Sequence, residues 1–195
     1  MNKEKKSLLS EKFMEAMVFA NQVHGNQTRK NSEIPYISHV LAVTALVLQD
    51  GGSETEAISA LLHDTVEDGD GEQTLVEIEE RFGPQVAKIV LSLSDTIETP
   101  KPPWRPRKEA YLEHLRTAPP EVLRVSLADK LHNARTIFED LKINGKKTWK
   151  KFNGGKSGTL WYYRSLYKIF SLHLPGHMTD ELGRVLALIE ELARE

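Results

Sequence analysis

The chain contains no cysteine. Disulfides and thiolate metal ligands are excluded, so any metal centre must be built from imidazole and carboxylate. An excess of either charge is also missing: 26 Lys and Arg against 28 Asp and Glu leave a formal net charge of −2. With no broad basic face, no nucleic-acid partner is expected, and the ligand should be small. Long hydrophobic runs are absent as well. The longest uncharged apolar segment, residues 34–49, is interrupted by Pro35, Ser38 and His39 and is too short to span a bilayer. The charged start, Met1 to Lys6, leads into an amphipathic helix and not into the apolar core of a secretion signal. No membrane partner and a cytoplasmic location are therefore expected.

Strand signals are nearly absent, and the hydrophobic periodicity is helical throughout. Phe13, Met17, Ala20 and Val23 give a first helix its face, and Ile37 to Leu48 a second, ended by Gly51-Gly52. Ser53 with Glu56, and Thr74 with Glu77, are capping-box signatures that predict the starts of the third and fourth helices. Phe82-Gly83-Pro84 closes one helix and opens the next, with Val86, Ile89, Val90 and Leu93 facing inward. Thr99-Pro100-Lys101-Pro102-Pro103 is predicted to be a loop. Residues 105–115 and 121–142 return to helix, a lysine-rich loop follows, and helices over 161–174 and 179–193 end the chain. The fold class is all-α. At 195 residues the chain reads as one domain, 1–195, with its core over 10–175 and a C-terminal helix over 179–194. Oligomeric state is not legible; a homo-oligomer is compatible with these apolar faces.

Against this background His63-Asp64-Thr65-Val66-Glu67-Asp68 stands out, with one imidazole and three carboxylates in six residues after an apolar helical run. If the helix continues one turn, His63 lies over Glu67 and Asp64 over Asp68, and all four project from one sector. Such crowding makes sense if a divalent cation, a cationic side chain or a shared proton neutralises it. The alternative is a solvated acidic helix end capped by Gly69. A hydrolytic metal site needs about four protein ligands and an open position. Two further donors qualify: His39, within the apolar pattern Ile37, Val40, Leu41, Thr44, Leu48, and Asp129, on a helix whose core face reads Leu123, Leu127, Leu131, Ala134 and Phe138. His39, His63, Asp64 and Asp129 offer two neutral nitrogens and two carboxylate oxygens, a set that suits Mn²⁺, Fe²⁺ or Zn²⁺ better than Ca²⁺.

The order of a histidine, then His-Asp, then a distant Asp, each on its own helix, resembles the HD-type metal-dependent phosphohydrolases. Four segments narrow the likeness: 24–30 (HGNQTRK), 35–39 (PYISH), 63–68 (HDTVED) and 128–136 (ADKLHNART) resemble the hydrolase domain of the RelA/SpoT homologues. A run over 158–164 (GTLWYYR) is similar to a helix start in their small stand-alone members. The resemblance implies a helical bundle of about eight to ten helices and one divalent ion, most often Mn²⁺. The implied reaction is hydrolysis of the 3′-diphosphate of guanosine tetra- and pentaphosphate alarmones to a 5′-nucleotide and pyrophosphate. No synthetase domain follows in the chain, so a small alarmone hydrolase is expected. The resemblance makes Glu67 and Asp68 the catalytic acidic pair beside the metal.

A polyanionic substrate beside so many carboxylates needs fixed positive charge, and Arg29-Lys30 matches the family's basic pair near the substrate. Asn133 and Thr136 share the Asp129 face of their helix and can reach the nucleotide. Tyr162 aligns with a family tyrosine near the nucleotide's 5′ end, although Trp161-Tyr162-Tyr163 is equally readable as core. One or two of Lys142, Lys146, Lys147, Lys150, Lys151 and Lys156 could steer a polyanion; the rest read as solvated loop charges. Two departures touch base preference: Val40 replaces the usual proline after the first histidine, and 31–34 (NSEI) replaces a Ser-Gly-Glu-Pro-like turn. Adenosine alarmones therefore stay open beside guanosine ones. So do another phosphorylated nucleotide such as NADPH and, more distantly, a non-catalytic nucleotide-binding helical module.

Overall fold

A computed structural model describes residues 8–30, 32–94, 96 and 100–194. Outside them lie the charged N-terminus (Met1 to Lys6), Asn31 of the turn after the basic pair, Thr99 of the proline-rich segment and the terminal Glu195. Ten α-helices follow one another among the described residues: α1 (Glu11–His24), α2 (Ile37–Gln49), α3 (Glu54–Leu62), α4 (Thr65–Asp68), α5 (Glu72–Phe82), α6 (Pro84–Leu93), α7 (Trp104–Leu115), α8 (Pro120–Asn144), α9 (Gly155–His173) and α10 (His177–Arg194). The only extended pairing described is an isolated bridge between Thr28 and Pro35, which pins the loop between α1 and α2. Among the described residues no helix is long and apolar enough to cross a membrane.

Several local expectations hold for the reasons given by the sequence. Ser53 caps α3 through a complete capping box with Glu56. Gly83, at φ 95°, turns the chain between α5 and α6, and Pro84 occupies the first position of α6. Others are corrected. α5 begins at Glu72 behind Gly71, and Thr74 lies within the helix; its hydroxyl accepts from the Asp70 backbone N–H, so it caps nothing at the predicted position. The buried face of α1 runs through Phe13, Ala16, Phe19, Ala20 and His24, leaving Met17 and Val23 only partly covered. The lysine-rich segment is a 3₁₀ helix, Gly145–Lys151, and α9 starts at Gly155, six residues before the expected Trp161.

Two apolar clusters make up the interior. One gathers α1, α5 and most of α3; the other gathers α7 to α10. α6 is split, with Val86, Ala87 and Val90 in the first and Ile89 and Leu93 in the second. α2 serves both, with Val40 in the first cluster and Val43 and Val47 in the second. α3 does the same, giving Ala60 to the second cluster and Ala57, Ile58, Leu61 and Leu62 to the first. His39 and His63 are carried on these two shared helices, and Asp129 on α8 packs against both of them.

The register of α8 against that pair is set by Arg124. Its Nε lies 3.0 Å from Asp50 Oδ2 at the end of α2, and its Nη1 donates to Glu56 Oε1. The other oxygen of Glu56 accepts from the Ser53 backbone N–H and hydroxyl, each at 2.7 Å. Burial opposes the charge on Glu56, but Ser53 and Arg124 outweigh it and hold its pKa below the usual carboxylate range. Arg124→Met strands a mostly buried carboxylate and is expected to lower unfolding free energy by about 2–3 kcal/mol in urea titrations; an unchanged midpoint and slope would contradict this bracing role.

Candidate metal centre and cleft

The chain does not run as one helix through residues 63–68. The Thr65 hydroxyl donates to the Leu62 carbonyl at 2.7 Å, taking an acceptor that a continuing helix would use, and α3 stops at Leu62. His63 caps α3, Asp64 precedes α4, and the turn between them points both side chains toward the start of α2 and the middle of α8. There the four predicted donors meet. His39 Nε2 lies 3.2 Å from Asp129 Oδ1 and 3.8 Å from Asp64 Oδ2; His63 Nε2 lies 3.0 Å from Asp64 Oδ2 and 3.8 Å from Asp129 Oδ1. His39, His63 and Asp129 are buried and each offers a ligand atom within 4.8 Å of the others. The Asp64 side chain keeps 25% exposure toward the cleft.

The donor set fits a divalent ion. His63 Nδ1–H donates to the Ala60 carbonyl at 2.8 Å, which fixes the tautomer that turns an Nε2 lone pair inward. That Nε2 is buried without a hydrogen bond, although Asp64 Oδ2 is only 3.0 Å away. The oxygen is close but out of line, as expected of atoms arranged about a common point. Metal-free, burial disfavours a charged His63, yet Asp64 and Asp129 override it and raise its pKa to about 9. His39 goes the other way: burial lowers its pKa more than Asp129 raises it. Both carboxylates stay ionised, burial of Asp64 being overcome by His63 and that of Asp129 by Lys130. A divalent cation would take over the charge that His63 carries in its absence.

Four neighbours aim these donors. His132 Nδ1 sits 2.8 Å from His39 Nδ1, and burial together with the neighbouring His39 keeps its pKa near 4, so a single proton bridges two neutral rings. The Tyr36 hydroxyl donates to Asp64 Oδ2. Lys130 Nζ lies 2.6 Å from Asp129 Oδ2, leaving Oδ1 to face the imidazoles. Asn133 Nδ2 donates to Asp129 Oδ1 at 2.5 Å, and its Oδ1 accepts from Arg29 Nη2 at 2.7 Å. Tyr36, Lys130 and His132 lie inside segments that the sequence singled out, but no role was read for them.

Three of the four donors, His63, Asp64 and Asp129, line a cleft of about 760 Å³, within the size range of small-molecule sites; His39 is buried and is not on its wall. Glu67 lies on its wall, as do Arg29, Lys30, Asn133, Thr136 and Tyr162, so five expected substrate contacts line one space. Asp68 is different. It is turned toward buried His24, 3.8 Å from its Nδ1, and is not on the cleft wall; burial, then Asp64, raises its pKa. Basic groups line the cleft as well: Arg107, Lys108, Lys130, which is paired with Asp129, and Lys151, which is paired with Asp140. Of these only Lys151 stood among the candidate steering lysines. Lys108 had no local sequence signal, since α7 reaches the cleft through its packing on α9 and the Tyr111–Ser126 contact with α8. Tyr162 is buried in the aromatic cluster and is also among the residues lining the cleft, and its hydroxyl is buried without a hydrogen bond, so core and binding readings both describe it.

Residues 16–156 match the family model described as HD domain. The guanosine-3′,5′-bis(diphosphate) 3′-pyrophosphohydrolase MESH1 of Xenopus tropicalis is 40% identical over 127 residues, covering 64% of this chain and 68% of that protein. A guanosine-3′,5′-bis(diphosphate) 3′-pyrophosphohydrolase of Aquifex aeolicus is 34% identical over 142 residues, 73% of this chain but only 20% of that longer protein. A solved structure titled as a metazoan orthologue of SpoT that hydrolyses ppGpp superposes with a TM-score of 0.77 at 26% identity, over 93% of this chain and 97% of the other. The lmo0812 protein of Listeria monocytogenes superposes with a TM-score of 0.67 at 29% identity, over 80% of this chain and 99% of that one. The chain belongs to the HD-domain family, and within it to the RelA/SpoT-homologue hydrolases.

Two outcomes are expected from this geometry. His132→Phe frees the His39 ring to rotate and should weaken Mn²⁺ binding about 10- to 100-fold by calorimetry; unchanged affinity would show that His39 needs no such partner. Burial, then Lys130 and Arg107, lowers the Lys108 pKa to about 7. Lys108 is therefore charged below that pH and neutral above it, while a bound polyanion favours the charged form. Pyrophosphate binding without added metal should weaken as pH rises through about 7. Lys108→Met should bind weakly at low pH and lose most of that dependence; an equal slope in both proteins would contradict the assignment.

Proposed function

We propose that the chain hydrolyses the 3′-diphosphate of a guanosine bis(diphosphate), releasing pyrophosphate and the 5′-nucleotide. The observation that carries the reading is the meeting of His39, His63, Asp64 and Asp129 at one buried point, with His63 Nε2 lacking a hydrogen bond. The named activities of the relatives support the substrate class. The four residues would hold one divalent ion, for which the family resemblance favours Mn²⁺. Such an ion supplies Lewis-acid stabilisation of charge at phosphorus and makes water a competent nucleophile near neutral pH.

The protein's own groups divide the remaining work. Arg29, anchored by Asn133 and lying over the Tyr36 ring at 5.6 Å, fixes positive charge beside the metal ligands, with Lys30 next to it on the wall. Asn133 and Thr136 offer an amide and a hydroxyl along the nucleotide. Tyr162, kept neutral by burial, and Lys108 and Lys151 receive the phosphates farther from the reacting bond. Water attacks the phosphorus attached to the 3′-oxygen; the new P–O bond forms as the P–O3′ bond breaks. Glu67, on the cleft wall, takes a proton from that water. Asp68, set back against His24 with a raised pKa, is the better suited of the pair to hold the proton that the departing 3′-oxygen requires. The reading carries with it a small-molecule partner and a cytoplasmic location.

The test is to supply Mn²⁺ and offer guanosine and adenosine nucleotides bearing a 3′-diphosphate, with NADPH alongside, and to identify the small product. Pyrophosphate is expected from the guanosine nucleotide, with kcat lowered about 10²- to 10⁴-fold in Glu67→Gln and activity lost in Asp64→Ala. Orthophosphate from NADPH alone, or an intact 3′-diphosphate in a metal-loaded wild type, would overturn the proposal. Faster cleavage of the adenosine substrate would correct its base.

A further inference from the structure

Trp104, the first residue of α7, is half-buried and lies against the start of α9. Its indole fills a notch that exists because two residues there have no side chain. A Cβ on Gly154 would come within 2.6 Å of the ring, and one on Gly158 within 3.1 Å. Gly154 has φ −80°, and Gly158 is not among the positive-φ glycines, so neither backbone conformation calls for glycine. What each provides is room for the indole. The ring meets Trp161 and Tyr162 edge-on, with centroids 6.2 and 6.3 Å away. α7 has no side-chain cap at its N-terminus and packs chiefly on α9, so this contact fixes its first turn.

The segment leading to Trp104 is stiff. Pro102 and Pro103 have restricted φ, Pro103 is extended at φ −53° and ψ 145°, and residues that precede proline are themselves held extended. The Pro102 carbonyl accepts from Arg107 Nε at 3.1 Å, tying the segment back to the first turn of α7. At its far end Lys101 Nζ lies 3.1 Å from Glu67 Oε2. A short segment of restricted backbone thus runs from the glycine notch to Lys101, whose half-exposed side chain reaches the carboxylate on the cleft wall.

We infer that Trp104 is a positioning residue: seated in the Gly154–Gly158 notch, it sets Lys101 against Glu67 and so holds that carboxylate in place for proton transfer. The inference rests on the role proposed for Glu67. Because Trp104 acts through Lys101, its removal should matter for turnover only while Lys101 is present, whereas its packing contribution should persist either way. Gly154→Ala tests the same contact from the opposite side, since it keeps the indole but blocks its seat.

The experiment measures kcat, KM and thermal midpoint for Lys101→Met, Trp104→Ala, Gly154→Ala and the doubles Trp104→Ala/Lys101→Met and Trp104→Ala/Gly154→Ala. Each single variant is expected to lose about three- to tenfold in kcat, and Trp104→Ala to add nothing to Lys101→Met while still lowering its thermal midpoint. Gly154→Ala should destabilise the wild type but be neutral once Trp104 is gone. An active wild type whose Trp104→Ala and Gly154→Ala variants keep kcat within about twofold would overturn the inference alone, as would multiplicative losses with Lys101→Met. A wild type that cleaves no 3′-diphosphate would instead remove the reading of Glu67 and the inference with it.

Discussion

Two imidazole nitrogens and two carboxylate oxygens are held together at a mostly buried point that opens on the cleft, and the surrounding structure is arranged around that fact. Unit charges about 4 Å apart near a protein surface interact by about 4 kcal/mol, so paired carboxylates cannot share such a point without a compensating cation. Metal-free, the compensation comes from a proton on His63 and from Lys130 against Asp129. His39 and His63 stand on α2 and at the end of α3, which both contribute to the two apolar clusters, and Asp129 stands on α8 of the second, so the site sits where the clusters meet. Arg124 adds a polar brace by tying α8 to the α2–α3 connection.

The cleft beyond this point carries both signs of charge. Asp64, Glu67 and Asp129 line it near the metal-ligand point, and Arg29, Lys30, Arg107, Lys108, Lys130 and Lys151 line the same space, Lys130 and Lys151 each paired with a carboxylate. A polyanion is drawn by the basic residues and repelled by Asp64, Glu67 and Asp129, so its phosphate approaches the reacting point only where a cation offsets that repulsion. The aromatic packing of α7 on α9 brings Lys108 to the wall and Lys101 to Glu67, linking the outer part of the cleft to its chemical end.

Where local chemistry decides the structure, the sequence was readable. Ser53 and Glu56 cap α3 because both partners of that box lie within one turn, and Gly83-Pro84 breaks and restarts the chain by backbone constraint alone. The four metal-ligand candidates were legible because their residue types are costly to bury except as a set. The continuous helix expected through residues 63–68 failed on one side chain, the Thr65 hydroxyl that claims the Leu62 carbonyl. The acidic pair is divided by helix geometry itself: Glu67 and Asp68 are consecutive in α4 and diverge by about 100°, which leaves Glu67 on the cleft wall and Asp68 against His24. Thr74 has the composition of a cap but lies two residues inside a helix that starts behind Gly71. Lys108, Lys101 and Trp104 were beyond local reading, since what each touches is set by the packing of α7 on α9.

The most direct test of the central claim is a crystal structure with Mn²⁺, with the ion located by its anomalous scattering. One peak is expected within about 2.0–2.4 Å of His39 Nε2, His63 Nε2, Asp64 Oδ2 and Asp129 Oδ1, with His63 Nδ1 still bonded to Ala60. A peak held by other residues, or none at a concentration that saturates the protein in solution, would contradict the account.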